Sequence, residues 1–247
     1  MGLKNTKFDG TYASILADGS ISVKCEPNTP GAKMREYEDS QTHETKIKWE
    51  KVYTELSGLI TKINFMDGDF GKVLHMRVVD GADVVDLGFS TNSNFGEDLM
   101  KKLPNVDFNQ PIIIKPYSFD DKVTKKNKKG VSLIQGDRKI TSYFSEMVNG
   151  KAVSINDIPV PEAGKNYDKD DWKVYFITVR KFLVNFIEEN VVPLIQNIET
   201  IKENVGGVEV APEDAPDMSE GLDVPGELSV DDIDLNSDGQ TKKQAFD

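Results

Sequence analysis

Histidine occurs twice in this chain, at His43 and His75, and cysteine once, at Cys25. Triads and dyads that need an imidazole base therefore have few candidates. Gly68-Asp69-Phe70-Gly71-Lys72 lacks the spacing of a phosphate-cradling loop, and no H-E-x-x-H zinc pair occurs. Asp234-Leu235-Asn236-Ser237-Asp238-Gly239 opens like a calcium loop, but its twelfth position is Ala245 where a bidentate Glu is needed. These patterns point away from an enzyme, and no cofactor or metal is expected. Residues 65–144 carry something else, flat rings interleaved with cations. The rings are Phe70, Phe89, Tyr117, Phe119 and Tyr143. The cations are Lys72, Arg77, Lys115, Lys122, Lys125, Lys126, Lys128, Lys129, Arg138 and Lys139. Rings stack on bases and a cationic track follows phosphates, the two requirements for holding a single-stranded nucleic acid.

Each feature alone has a plainer explanation. Aromatic residues at strand spacing usually fill a core, and a lysine run in a loop is usually a solvated surface. Phe65, Phe108 and Phe144 read as core. Phe70 differs because it lies in a glycine-flanked turn, and Tyr117 and Phe119 sit two residues apart beside the lysines. The pairing of rings with cations is what favours a binding site.

The elements that would position these residues follow from periodicity. Tyr53 to Phe65, Lys72 to Val79 and Val84 to Phe89 read as three strands in a meander, with a hairpin turn at Asp80-Gly81. Ser93 or Asn94 caps a short helix that Pro104 ends. Pro111 to Tyr117 is a dense apolar strand, Lys122 to Gly130 a mobile basic loop, and Val131 to Gln135 with Ile140 to Phe144 a closing strand pair. Trp172, Tyr175, Phe176, Val179, Leu183, Phe186 and Ile187 fall at helical spacing, so one long amphipathic helix begins at Asp170 or Asp171. Pro193 should kink or end it.

Meander, helix, then further strands is the element order of an OB-fold, a five-stranded Greek-key barrel. The alternative is a generic β-sandwich. The expected class is mainly β with α: an OB-fold-like five-stranded barrel with extra N-terminal strands, one long C-terminal helix and a disordered acidic tail. The divisions are 1–50 (N-terminal extension with short strands), 51–150 (OB-like core), 151–169 (linker), 170–202 (amphipathic helix) and 203–247 (acidic tail).

Charge is divided the same way. Residues 203–247 hold thirteen acids against Lys242 and Lys243, a net of −11, while the whole chain is −12. The remainder is nearly neutral, so global acidity does not exclude a nucleic-acid partner; a local patch is what a phosphate backbone meets. The tail is too poor in apolar residues to offset the entropy of ordering. Within it Asp231, Asp232, Ile233, Asp234 and Leu235 alternate acids with aliphatics, and Phe246 precedes the last residue. The alternating segment suits docking in a basic-rimmed apolar pocket. A single cysteine fits a reducing compartment, and no apolar run approaches a membrane span.

Leu59 to Phe119 resembles the single-stranded DNA-binding proteins of bacteriophages. The stretches that carry this are Gly58-Leu59-Ile60-Thr61-Lys62-Ile63, Asp67-Gly68-Asp69-Phe70-Gly71-Lys72-Val73-Leu74, and Leu103-Pro104-Asn105-Val106-Asp107 leading into Pro111-Ile112-Ile113-Ile114-Lys115-Pro116-Tyr117. The resemblance implies sequence-nonspecific binding of single-stranded DNA in phage replication, recombination and repair, in the cytoplasm of an infected bacterial host. It implies an acidic tail that recruits replication proteins such as polymerase, helicase or primase. The rival reading is an OB-like protein-binding adaptor or DNA-mimic inhibitor. The apolar load of Trp172, Tyr175 and Phe176 also allows a homodimer.

Overall fold

Alternation of aliphatic and polar side chains fixes most strands here, because a strand sends successive residues to opposite faces. The computed structural model describes residues 10–38, 43–68, 71–122 and 124–195. Its strands are β1 (Thr11–Ile15), β2 (Ile21–Lys24), β3 (Lys33–Glu38), β4 (Thr45–Tyr53), β5 (Leu56–Gly68), β6 (Gly71–Asp80), β7 (Asp83–Ser90), β8 (Ile112–Asp120), β9 (Asn127–Gln135), β10 (Arg138–Ile140), β11 (Ser145–Val148) and β12 (Lys151–Ser154). The helices are α1 (Asn94–Lys102), running into a 3-10 turn at Leu103–Asn105, and α2 (Lys169–Asn190). Among the described residues the fold is thus mainly β with two α-helices.

Ten strands form one sheet in the order β10-β9-β8-β5-β6-β7-β1-β2-β4-β3, while β11 and β12 make a separate ribbon. The expected meander is present as β5-β6-β7. The sheet, however, is open: its ladder ends at β10 and β3 instead of closing as five strands. The N-terminal strands belong to the same sheet, with β1 lying parallel on β7 through Thr11↔Val85 to Ser14↔Gly88.

Two devices shape this sheet. Beyond the last β8–β5 pair, Leu56↔Ile114, stands Pro116, which has no N–H to extend the pairing. On the far side of the hairpin, the free edge of β9 is capped by α1. Asp98 accepts from the Val131 N–H at 2.7 Å, and Lys102 Nζ donates to the Val131 carbonyl at 2.7 Å. Side chains thus satisfy an edge that another strand would otherwise use. The sheet still curls. The β1–β2 turn packs on β8 so closely that a Cβ on Gly19 would lie 2.8 Å from the Tyr117 carbonyl carbon. With φ at +85°, that position needs glycine.

The concave side holds the core, with Leu74, Met76, Leu87, Phe89, Ile112, Ile114 and Leu133 essentially sealed. Ser93 caps α1 by accepting from the Gly96 N–H, as its sequence predicts. A capping box of Asp168 and Asp171 starts α2. The helices are tied by Arg180 Nε to Glu97 Oε2, 3.2 Å apart, with Arg180 buried and Glu97 largely so. Burial raises the Glu97 carboxyl, but Lys101 and Arg180 outweigh it and hold it below its ordinary range.

Three expectations change. The basic stretch is not wholly a loop: β9 begins at Asn127, so Lys128 and Lys129 are strand residues. The strand expected over Ile140 to Phe144 stops at Ile140, because Phe144 turns inward against Phe182 and Phe186. Residues 151–154, expected as the start of a linker, form β12 and pair with β11 in an exposed ribbon. The tail of 203–247 lies outside the described residues.

Candidate nucleic-acid interface

Strand register divides the side chains of the ten-stranded sheet between two faces. One face holds the apolar core; the outer face is mostly polar. A row across it runs Asn64, His75, Gly88, Ser14, Ser22, and a neighbouring row runs Lys62, Arg77, Asp86, Tyr12. At one end of this face stand Lys115, Tyr117 and Phe119 of β8, level with Ser132, Gly130 and Lys128 of β9, and Lys139 of β10 level with Ile134. At the other end, Lys24, Glu50 and Lys33 form one row, followed by Arg35 opposite Lys48 and Tyr37 opposite Lys46.

Charge follows the faces. Outward-facing strand residues include ten bases, Lys24, Lys33, Arg35, Lys46, Lys48, Lys62, Arg77, Lys115, Lys128 and Lys139, against two acids, Glu50 and Asp86. Glu55, one residue before β5, reaches Lys115 at 3.3 Å. The core-facing parity has the opposite balance. It carries Lys51, Lys72, Lys129 and Arg138 against Glu36, Glu38, Asp67, Asp80, Asp83 and Asp120. The sheet's excess of bases therefore lies on one face, which is strongly cationic.

Some of these charges are tied down. Arg77 grips Asp86 through two bonds, Nε to Oδ1 at 3.0 Å and Nη2 to Oδ2 at 2.9 Å. Beside them, burial first and Asp86 second raise the Tyr12 phenol, while Arg77 opposes the shift. Burial depresses the His75 imidazole, with Asp86 working against it. Glu50, only 3 % exposed, accepts from Ser22 at 2.7 Å and lies 3.3 Å from both Arg35 and Lys48. It relieves two like charges that the register places directly opposite each other.

Of the sequence-predicted residues, the structure gathers Lys115, Tyr117, Phe119 and Lys128 on one face. Phe119 is 50 % exposed, and its ring centroid is 5.8 Å from that of Tyr117. Tyr117 lies across Gly130; a Cβ there would sit 2.5 Å from the phenol oxygen, so glycine leaves the seat for this ring. Burial and the nearby Asp98 carboxylate raise the Tyr117 phenol, with Lys128 opposing. Lys122, Lys125 and Lys126 line the connection at the hairpin tip, and Lys128 reaches Asp121 at 2.6 Å. Lys129 belongs to the core-facing parity, level with Ser118.

Other predicted residues are placed elsewhere. Phe89 is 1 % exposed and fills the core, so it cannot stack on a ligand. Tyr143 packs against Phe144 and Phe186, 5.2 and 5.6 Å between centroids, and is committed to holding α2. Arg138 and Lys139 stand at the far end of β9 from the hairpin tip, roughly 25 Å along the strand. The lysines therefore do not form a single track along β8–β9. Lys72 lies over the Phe65 ring at 5.9 Å and bonds Glu188 at 3.0 Å, beside a cleft of about 310 Å³ between β5 and the end of α2. Phe70, Asp231, Asp232, Ile233, Asp234, Leu235 and Phe246 lie outside the described residues.

The candidates missed in the sequence are Tyr12, Lys24, Lys33, Arg35, Tyr37, Lys46, Lys48 and Lys62. A signal existed in Lys33-Met34-Arg35-Glu36-Tyr37-Glu38 and Lys46-Ile47-Lys48, where bases recur at every second position. Among the described residues no cluster of three or more His, Cys, Asp or Glu is poised to hold a metal, and no helix is long and apolar enough to cross a membrane. No family model matches the chain, and neither does any curated protein or solved structure.

Proposed function

We propose that this protein binds single-stranded DNA without sequence preference, along the outer face of its sheet. The observation that carries the reading is the separation of charge by face, ten bases against two acids, with Tyr117 and Phe119 half-open on the same side. Phosphates supply the anion such a face attracts, and bases supply flat partners for the rings. No base-edge reader is needed, so binding is sequence-tolerant.

The fold reading that accompanies this is OB-like. Strands β8, β5, β6, β7 and β1 form a five-stranded curl whose ends approach at the β1–β2 turn, with α1 between β7 and β8. The likeness to phage single-stranded DNA-binding proteins extends the proposal to replication, recombination and repair. The acidic tail then serves as the docking segment for replication proteins.

The test is anisotropy of labelled oligo-dT titrated with the full chain, from low salt upward. Binding that weakens steeply with salt, and is similar for mixed-sequence oligonucleotides, is the expected result. Absence of binding at low salt would sink the proposal. An oligo-U arm measures any preference for RNA. Truncation of residues 209–247 should tighten binding by removing an intramolecular competitor, and unchanged affinity would refute self-shielding.

A further inference from the structure

The β3–β4 ribbon is an edge of the sheet, and its charges are sorted in a way that edge protection does not require. Lysines commonly guard an exposed edge against pairing with another chain, and for that purpose either face serves. Here Lys33, Arg35, Lys46 and Lys48 all face outward, together with Lys24 of β2, while Glu36 and Glu38 face the other way. Tyr37 lies among the bases, with Lys48 Nζ 5.7 Å from its ring centroid. Buried Glu50 braces Arg35 and Lys48 from within. Lys24 and Lys33 project into solvent on either side of it.

We infer that this ribbon is a second phosphate-binding segment, which holds the same DNA strand that the β8–β9 hairpin stacks. The inference rests on the reading above and deepens it by giving the strand a direction across the sheet. From β8 to β4 the ladder takes six steps, β5, β6, β7, β1, β2 and β4. At about 4.8 Å per step this is roughly 30 Å along the curved surface. Lys62 and Arg77 lie between the two ends on the same face. A strand crossing the β-strands in this direction meets rings first and cations last. A short oligonucleotide reaches only one end, and a long one reaches both.

The experiment compares the full chain with the triple variant Lys24→Gln/Lys33→Gln/Lys46→Gln. A control of equal charge, Lys151→Gln/Lys169→Gln/Lys173→Gln, lies off the sheet. Each is titrated with oligo-dT of roughly 5 and roughly 15 nucleotides, the span of site sizes seen for such folds. Each phosphate contact to a single strand contributes about 0.7 to the slope of log K against log salt. Loss of three contacts should lower that slope by about 2. The ribbon variant should then lose roughly 15-fold less affinity than wild type between about 50 and about 200 mM salt. It should also gain little from the longer oligonucleotide, and the control should behave as wild type. The double variant Lys24→Gln/Lys33→Gln, changing only exposed side chains, should lower the slope by about 1.4 with an unchanged thermal melt. If wild type binds but both ribbon variants keep its slope and its gain with length, or the control falls equally, the ribbon inference is overturned and the hairpin reading stands. If wild type fails to bind at low salt, both fall together.

Discussion

The hairpin β8–β9 and the ribbon β3–β4 both bring cations beside rings on the outer face, and they are held by opposite means. The hairpin is supported from outside its own strands. Helix α1 clamps the β9 edge through Asp98 and Lys102, and Gly130 vacates the seat that Tyr117 fills. The ribbon is supported from within by one carboxylate, Glu50, under two bases that would otherwise repel. Tertiary packing fixes the rings, whereas charge compensation fixes the bases. The two ends should therefore fail under different perturbations.

The sharpest break is expected at Glu50. Glu50→Gln keeps the shape but leaves Arg35 and Lys48 facing each other with no buried anion. Breaking a buried charge pair costs about 3–5 kcal/mol, which for a domain of this size corresponds to a fall in Tm of roughly 6–20 °C. A thermal melt within a degree or two of wild type would show that the ribbon does not depend on this carboxylate. At the hairpin, Asp98→Ala removes the acceptor for the Val131 N–H and strands Lys102, at a cost of about 1–3 kcal/mol. Hydrogen exchange should accelerate at Val131 more than in β6. Uniform acceleration would mean that α1 does not cap that edge specifically.

Binding separates the two ends further. Phe119→Ala removes a half-exposed ring, so stability should move by no more than about 0.5 kcal/mol. Affinity for oligo-dT should fall by about 1–3 kcal/mol, roughly 5- to 150-fold. The salt slope should stay put, because a stacking ring carries no charge. A changed slope with unchanged affinity at low salt would reverse the roles assigned to the two ends.

The contrast also explains what could be read in advance. The meander β5-β6-β7 and α1 were legible because their signals are local: alternation, Asp80-Gly81, Ser93 before the helix, Pro104 after it. Tyr117 and Phe119 were legible as a pair because both lie on one strand. Phe89 was not, since its strand carries apolar residues at several positions and sequence cannot say which side meets the core. The sequence pattern puts Tyr143 on a strand that ends three residues earlier, and its packing depends on Phe186, more than forty residues later in α2. The open sheet was not foreseen because β1 joins β7 across some seventy residues of intervening chain. The basic ribbon is hidden for a simpler reason. Its bases alternate, but Glu36 and Glu38 stand among them in sequence, and only the strand register sends acids and bases to opposite faces.

The smallest effect expected lies between the two ends, at His75. The residue is buried in the row of Asn64, Gly88 and Ser14, and burial holds its pKa below 6.5, against the pull of Asp86. A lowered imidazole pKa in the folded state means that the unfolded chain binds the proton more readily. Its contribution to stability is therefore complete above about pH 6.5 and is lost as pH falls through the folded value. His75→Gln cannot titrate and should flatten stability against pH between about 7 and 5, measured by urea unfolding. The Glu97 shift acts in a separate, more acidic window, since that carboxylate is held low by Lys101 and Arg180 and loses its contribution only as it protonates. Protonation of His75 also adds positive charge midway along the outer face. Wild type should therefore gain more affinity for oligo-dT than His75→Gln as pH is lowered over the same range. Equal gains in the two proteins would place the bound strand away from the middle of the sheet, and the two ends would then have to act on separate strands.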